Sequence, residues 1–260
     1  MESIARAEHD ENVQRKDLSP SELTTILETL DGDGNRCNGV RRPSWFKKAQ
    51  EILEAARNDP TKQNLVEQMD GHRNPTHAYR KLVVERQKEE LEKNPRKLPE
   101  GRFNVIVADP PWQFSGNCNL AYPTMSVDEI KNLPIQGIAA DDSVLWLWIT
   151  NHHLQYGFDV IAAWGFRYST CLTWFKNRPG TGHWLLGQTE HCLLATRGNP
   201  LRNQPTHIQT TALIADATQH SRKPEAFYRL AEELCVGSRI ELFAREPREG
   251  WNSDYGILKA

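Results

Sequence analysis

Hydrophobic and polar positions are arranged in two different ways along this chain. The first hundred residues are polar and helix-favouring, and they predict helices near 20–30, 43–57, 62–70 and 75–93. Beyond them, apolar runs at 103–108, 144–150, 168–175, 191–196 and 239–244 alternate with helical stretches near 126–133, 152–164 and 223–235. That alternation is the pattern of an α/β domain with a mostly parallel sheet. The segment Asn94-Pro-Arg-Lys-Leu-Pro-Glu-Gly101, with its prolines and glycine, reads as a linker. It divides the chain into a small helical region, residues 1–97, and an α/β domain, residues 98–260.

In such a sheet, ligands bind beyond the carboxyl ends of the strands. Asp109, Asn151 and Arg245 fall at predicted strand ends. Asp109 opens the sequence Asp109-Pro110-Pro111-Trp112 directly after Phe-Asn-Val-Ile-Val-Ala. Each proline lacks an N–H and fixes φ, so the chain must leave the sheet there as an extended turn whose carbonyls have no strand partner. A carboxylate, a free carbonyl and an indole within four residues suit a flat ring with an exocyclic amine, such as adenine. Asp109 and the Pro110 carbonyl are expected to accept the two amine hydrogens, with Trp112 or a nearby aromatic stacked on the base. Asp-Pro-Pro alone is also a common strand-exit turn, so the flanking sequence has to decide.

Composition narrows the choice. With 32 basic and 34 acidic residues the formal net charge is −2, which excludes a generally basic coat and leaves a local nucleic-acid footprint open. No apolar run has membrane length and no secretory signal is recognisable, so a soluble cytoplasmic protein is expected. The five cysteines, Cys37, Cys118, Cys171, Cys192 and Cys235, show neither a Cys-x-x-Cys pair nor zinc spacing. An odd count also argues against a disulfide framework, and no metal is expected. Asp31-Gly-Asp-Gly lacks the acid spacing of a calcium loop, and 32–39 reads as a flexible loop. No Gly-x-Gly-x-x-Gly follows a predicted strand, which argues against a dinucleotide-dependent dehydrogenase.

Six stretches then stand in order: Ala-Asp-Pro-Pro-Trp at 108–112, Tyr-Pro-Thr-Met-Ser at 122–126, Thr-Gly-His-Trp at 181–184, Glu-His-Cys-Leu at 190–193, Ser-Arg-Lys-Pro at 221–224 and Ile-Glu-Leu-Phe-Ala-Arg at 240–245. On these, the chain from Phe103 onward resembles the adenine-N6 methyltransferases related to the catalytic subunit of the mRNA N6-adenosine methyltransferase, a family with bacterial and phage DNA-modifying members. The resemblance implies a class I, Rossmann-like methyltransferase fold, S-adenosylmethionine as donor, and transfer to the N6 of adenine. It places Asp109, Pro110, Pro111 and Trp112 at the reacting amine, with Asp109 also beside the donor. Lys223 matches a lysine that pairs with the donor's methionine carboxylate, and Arg245 an arginine near its ribose and methionine end. Glu190 matches a glutamate near the acceptor amine, and Tyr122 is expected to wall the base pocket. The loop 175–184 is placed beside the target strand or a subunit interface, making Lys176, Arg178 and His183 candidates for phosphate contacts.

Each residue also has a plainer reading. Ser221 is suited to cap a helix and Pro224 to its first turn, His220 to local capping or packing, Arg245 to a surface strand end, Glu190 to the start of a strand, and Tyr122 to loop packing. One departure bears on the donor. Bacterial members of that family commonly carry an asparagine after Trp-x-x-Trp-Gly, where this chain has Trp251-Asn252-Ser253-Asp254-Tyr255-Gly256-Ile257; Ile257 cannot hydrogen-bond a ribose, and Asn252 or Asp254 would have to substitute. Residues 12–21 and 45–82 weakly resemble the helical region of ParB-like DNA-binding proteins, so 1–97 is either a module that helps hold DNA or an extension packed on the catalytic domain. The expected partners are nucleic acid, DNA before RNA, and a second or related subunit in a homodimer or heterodimer, with no membrane. The rival readings are a non-catalytic nucleic-acid-binding subunit and an N4-cytosine methyltransferase, whose chemistry more often carries a serine in place of Asp109.

Overall fold

A computed structural model of the chain describes residues 18–32, 43–72, 75–114, 122–182, 184–204, 209–217 and 222–256. These residues form two compact units, one of residues up to Lys93 together with 122–123, the other of residues from Asn94 on.

The first unit is helical: α1 (Pro20–Gly32), α2 (Phe46–Asn58), α3 (Gln63–Gly71) and α4 (Pro75–Lys93), with a single 3-10 turn, Pro60–Lys62, before α3. Phe46, Ala49, Ile52 and Ala55 recur every third residue of α2, so they share one face and are buried on it. Leu65 and Met69 of α3 and Ala78 and Leu82 of α4 complete that core. The Asp59 carboxylate accepts the Thr61 N–H at 3.0 Å and so starts the 3-10 turn. The α1 start is tied to α3, because the backbone N–H and the hydroxyl of Ser21 both donate to the Asp70 carboxylate.

The second unit is built on a sheet of β1 (Phe103–Ala108), β2 (Ala139–Ile149), β3 (Arg167–Phe175), β4 (Thr189–Arg197), β5 (Ala212–Ile214) and β6 (Arg239–Leu242), in the order β5-β3-β4-β2-β1-β6. Its helices are α5 (Val127–Lys131), α6 (Leu154–Ala163) and α7 (Glu225–Leu234). The sheet is mostly parallel, as the alternation predicts; β4 alone runs against both of its neighbours. Alternate side chains serve opposite faces. Ile106, Ala108, Leu145, Leu147, Leu193 and Leu242 pack with Val160, Ile161 and Trp164 of the α6 region, while Val105, Val107, Trp146, Trp148 and Cys192 pack with Phe227, Tyr228 and Ala231 of α7. The result is three layers with helices on both faces of the sheet, the Rossmann-like α/β arrangement. Gly157 lets α6 approach the sheet, since a Cβ there would meet the side chains of Ile149 and Leu193.

Four local expectations are corrected. β2 starts at Ala139, which pairs with Phe103 of β1; the polar stretch that follows, with exposed Asp141 and Asp142, lies in a register irregularity before pairing resumes at Val144, and it shows no apolar run. β5 is a three-residue edge strand with too little burial to produce a pattern. β6 ends at Leu242, and Phe243 turns into a left-handed conformation (φ 65°), so Arg245 lies three residues beyond the strand instead of ending it. Pro224 is extended (φ −68°, ψ 144°) and precedes α7 instead of forming part of its first turn. Ser221, His220, the loop 33–39 and Ile257 lie outside the described residues, as do Cys37 and Cys118. The three described cysteines are free thiols. No helix among the described residues is long and apolar enough to cross a membrane.

Candidate active site

The reversed strand β4 determines what meets at the carboxyl edge of the sheet. β1 ends there at Asp109, while β4 begins there, with Glu190 paired opposite Trp174 near the end of β3. Lys176 stands just beyond β3 on the same edge. Lys223 arrives from the start of α7, which packs on the face carrying Trp148.

These four side chains form one chain of alternating charge. The Lys223 ammonium lies 2.7 Å from Asp109 Oδ2 and 3.2 Å from Glu190 Oε2, and Glu190 is in turn paired with Lys176. Both ammonium groups sit over indoles, Lys223 at 5.0 Å from the Trp148 ring centre and Lys176 at 4.9 Å from Trp174. Burial opposes the charge on Lys223, but the two carboxylates outweigh it and raise its pKa above the ordinary lysine value. Burial likewise works against ionised Glu190, and the two lysines overcome it and lower its pKa. The surroundings therefore favour the charged forms of both Lys223 and Glu190 at the sheet's edge.

A crevice of about 330 Å³ opens beside it, lined by Asp109, Lys223, Tyr228, Glu241, Phe243, Arg245 and Arg248 among others. In its wall the Tyr228 hydroxyl donates to Glu241 at 2.6 Å. Burial, with the nearby Asp109 adding to it, raises the pKa of Glu241, and burial beside Glu241 raises that of the Tyr228 phenol. Arg248 makes two parallel hydrogen bonds to Glu225, at 2.9 and 2.8 Å, and stacks over the Tyr228 ring at 3.6 Å. None of Tyr228, Glu241 and Arg248 was named from the sequence. A lone carboxylate inside the apolar run Ile-Glu-Leu-Phe was the available signal, since such a group requires a partner when buried.

The turn after Asp109 differs from the expectation in two respects. The Pro110 carbonyl already accepts the Trp112 N–H at 2.8 Å and the Pro111 carbonyl accepts that of Met125 at 2.8 Å, so neither lacks a partner; each retains a second lone pair. The Trp112 indole is 4% exposed, donates to the Trp148 carbonyl at 3.1 Å and stacks on His153. It is a packing residue in this arrangement. Of the remaining candidates, Arg178 is exposed on the β3–β4 hairpin, Tyr122 groups with the helical unit, and His183 lies outside the described residues. Asn252 is committed to Asp254, donating to its carboxylate at 2.7 Å. Among the described residues, no group of acids, histidines and cysteines is arranged to hold a metal ion.

Residues 103–254 match the family model described as MT-A70. The chain belongs to the MT-A70 family. The MT-A70 match takes in the whole sheet and the charged cluster and leaves the helical unit outside, so it lends no support to the ParB-like resemblance of that unit. The chain is 36% identical over 164 residues to a probable N(6)-adenosine-methyltransferase MT-A70-like protein of Oryza sativa subsp. japonica, covering 59% of this chain and 22% of that one. It is 35% identical over 154 residues to the N(6)-adenosine-methyltransferase catalytic subunit METTL3 of Homo sapiens, covering 56% and 26%. To the type II methyltransferase M.MunI of a Mycoplasma species it is 28% identical over 181 residues, covering 60% and 78%. Against the N(6)-adenosine relatives, this MT-A70 chain spans about a quarter of their length.

Proposed function

We propose that this MT-A70 chain transfers a methyl group from S-adenosylmethionine to the N6 amine of adenine in a nucleic acid. The observation that carries the proposal is Asp109, a carboxylate held by the buried Lys223 at the mouth of a crevice beyond β1.

The crevice suits the donor chemically. S-adenosylmethionine carries a cationic sulfonium and ammonium together with a carboxylate, and the lining presents both signs, with Asp109 and Glu241 against Lys223, Arg245 and Arg248. When bound, the donor supplies an electrophilic methyl group. Lys223 and Arg245 are the groups suited to its carboxylate, and the acids to its cationic centres. The remaining work falls to the chain. The N6 lone pair of adenine is delocalised into the ring, and hydrogen bonds from both N–H groups to Asp109 and to the second lone pair of Pro110 O would localise it and aim it. Methylation releases one proton from the amine, and the Asp109 carboxylate is the proposed acceptor for it. Positioning is thus the principal catalytic device.

DNA is our first choice of polymer and RNA the second, because the match takes in 78% of the type II methyltransferase M.MunI and only 26% of METTL3. Lys176 and Arg178 on the β3–β4 hairpin are the proposed phosphate contacts, with His183, which lies outside the described residues, as a third, and the helical unit is proposed as an accessory hold on the polymer. The hairpin also exposes Trp184, Leu185 and Leu186 at 95%, 87% and 60%, an apolar tip suited to a second or related subunit.

The test is methyl transfer from labelled S-adenosylmethionine to duplex DNA, single-stranded DNA and RNA, with nucleoside analysis and Asp109→Ala as control. N6-methyladenine lost in the variant supports the proposal and identifies the polymer. No product on any polymer, together with no donor binding by calorimetry, sinks it in favour of a non-catalytic subunit; N4-methylcytosine would reassign the base.

A further inference from the structure

We propose that His153 is a positioning residue that braces the Asp109–Trp112 turn, an inference that rests on the methyltransferase reading. His153 follows β2, the strand beside β1, and is 1% exposed. Both ring nitrogens are engaged across two segments of chain. Nε2 lies 2.9 Å from the Gln113 carbonyl and Nδ1 2.9 Å from the Thr150 hydroxyl. A carbonyl can only accept, so Nε2 carries the hydrogen and Nδ1 of the neutral ring accepts from Thr150.

The ring itself supports the tryptophan of the turn. Trp112 stacks on His153 with centroids 5.4 Å apart and planes 26° from parallel, and Phe114 meets His153 edge to face with centroids 4.7 Å apart. The Trp112 indole N–H is bound to the Trp148 carbonyl of β2. The residues that leave the Pro-Pro turn are therefore held at three points, an indole face, an indole edge and the next carbonyl, and His153 supplies two of them. Because Pro110 and Pro111 transmit little rotation of their own, fixing the chain downstream fixes the direction of Asp109 and of the Pro110 carbonyl upstream.

Two substitutions separate positioning from packing. His153→Phe keeps an aromatic ring beside Trp112 and removes both nitrogens, whereas His153→Gln restores an amide N–H near the place of Nε2. On the polymer that the wild type methylates, the phenylalanine variant is expected to lose about 10- to 100-fold in kcat, with KM for donor and nucleic acid little changed, and the glutamine variant to recover most of it. Hydrogen exchange of the Trp112 indole N–H, followed by NMR, reads the brace without activity. It should quicken about tenfold in His153→Phe and stay near wild type in His153→Gln. Wild-type exchange in the phenylalanine variant, or equal losses in both variants, would overturn the brace. If wild-type protein makes no methylated base yet the exchange contrast holds, the methyltransferase reading fails and the brace stands.

Discussion

A lysine with 6% of its side chain exposed, held between two carboxylates, is an arrangement in which each charge depends on the others. Removing Lys223 would leave Asp109 and Glu190 facing each other without a counter-ion. Lys223→Met is therefore expected to cost about 3 kcal/mol of stability, read as a lower urea midpoint, in addition to abolishing turnover. Asp109→Asn should leave the fold intact and lower kcat by about 100-fold or more, because the amide's N–H would repel one amine hydrogen and its charge is gone. The titration of two acids gives opposite pH dependences. Glu190, whose pKa the fold lowers, adds stability above the ordinary glutamate value of about 4.3, and that contribution is lost as the pH falls through the lower folded value. Glu241, whose pKa burial raises, adds stability below the ordinary value and loses it as the pH climbs through the raised one. Glu241→Gln keeps an acceptor for Tyr228, so thermal melts from pH 4 to 8 should show the variant losing less stability toward neutral pH than the wild type. An unchanged pH profile would show that Glu241 does not titrate in this range.

At the scale of elements, apolar periodicity reveals where chain is buried and says nothing about direction. The run at 191–196 marks β4 as a strand, yet only pairing with β2 and β3 shows that it is reversed, and the reversal is what delivers Glu190 to Asp109. Asp109, Lys223 and Glu190 could be named from local motifs because each sits in a distinctive stretch. Tyr228 and Glu241 were not, since their partnership joins α7 to β6; Glu241 stands out as an acid in an apolar strand, but nothing local to either element names its partner. Where an element carries polar residues at its start, as β2 does, or buries almost nothing, as β5 does, the pattern is silent for the same physical reason. The turn after β4 is sharply constrained. Gly198 has φ +62°, and a Cβ there would run into the Asp141 carbonyl and the Asp142 side chain. Gly198→Ala should destabilise the protein by about 1–3 kcal/mol in urea titration, with the charged cluster, at the far end of β4, left unperturbed and the proposed methyl transfer keeping its kcat at temperatures where the variant is folded.

For the whole molecule, the exposed tip of the β3–β4 hairpin is the feature with the widest reach. Three successive large apolar residues in water have a cost that a second subunit would remove. The proposed assembly predicts a dimer for the wild type in sedimentation and a monomer for Trp184→Ser combined with Leu185→Ser. Equal sedimentation of the two proteins would remove the hairpin from the assembly proposal without touching the charged cluster. The two lysines of that cluster have an optical consequence as well. An ammonium resting on an indole perturbs its excited state, and Lys223 and Lys176 each rest on one, Trp148 and Trp174, whose rings themselves meet edge to face. A ligand that draws Lys223 from Asp109 and off the Trp148 ring is expected to change the emission of that indole, which would make Trp148 a fluorescent reporter of how the crevice is filled.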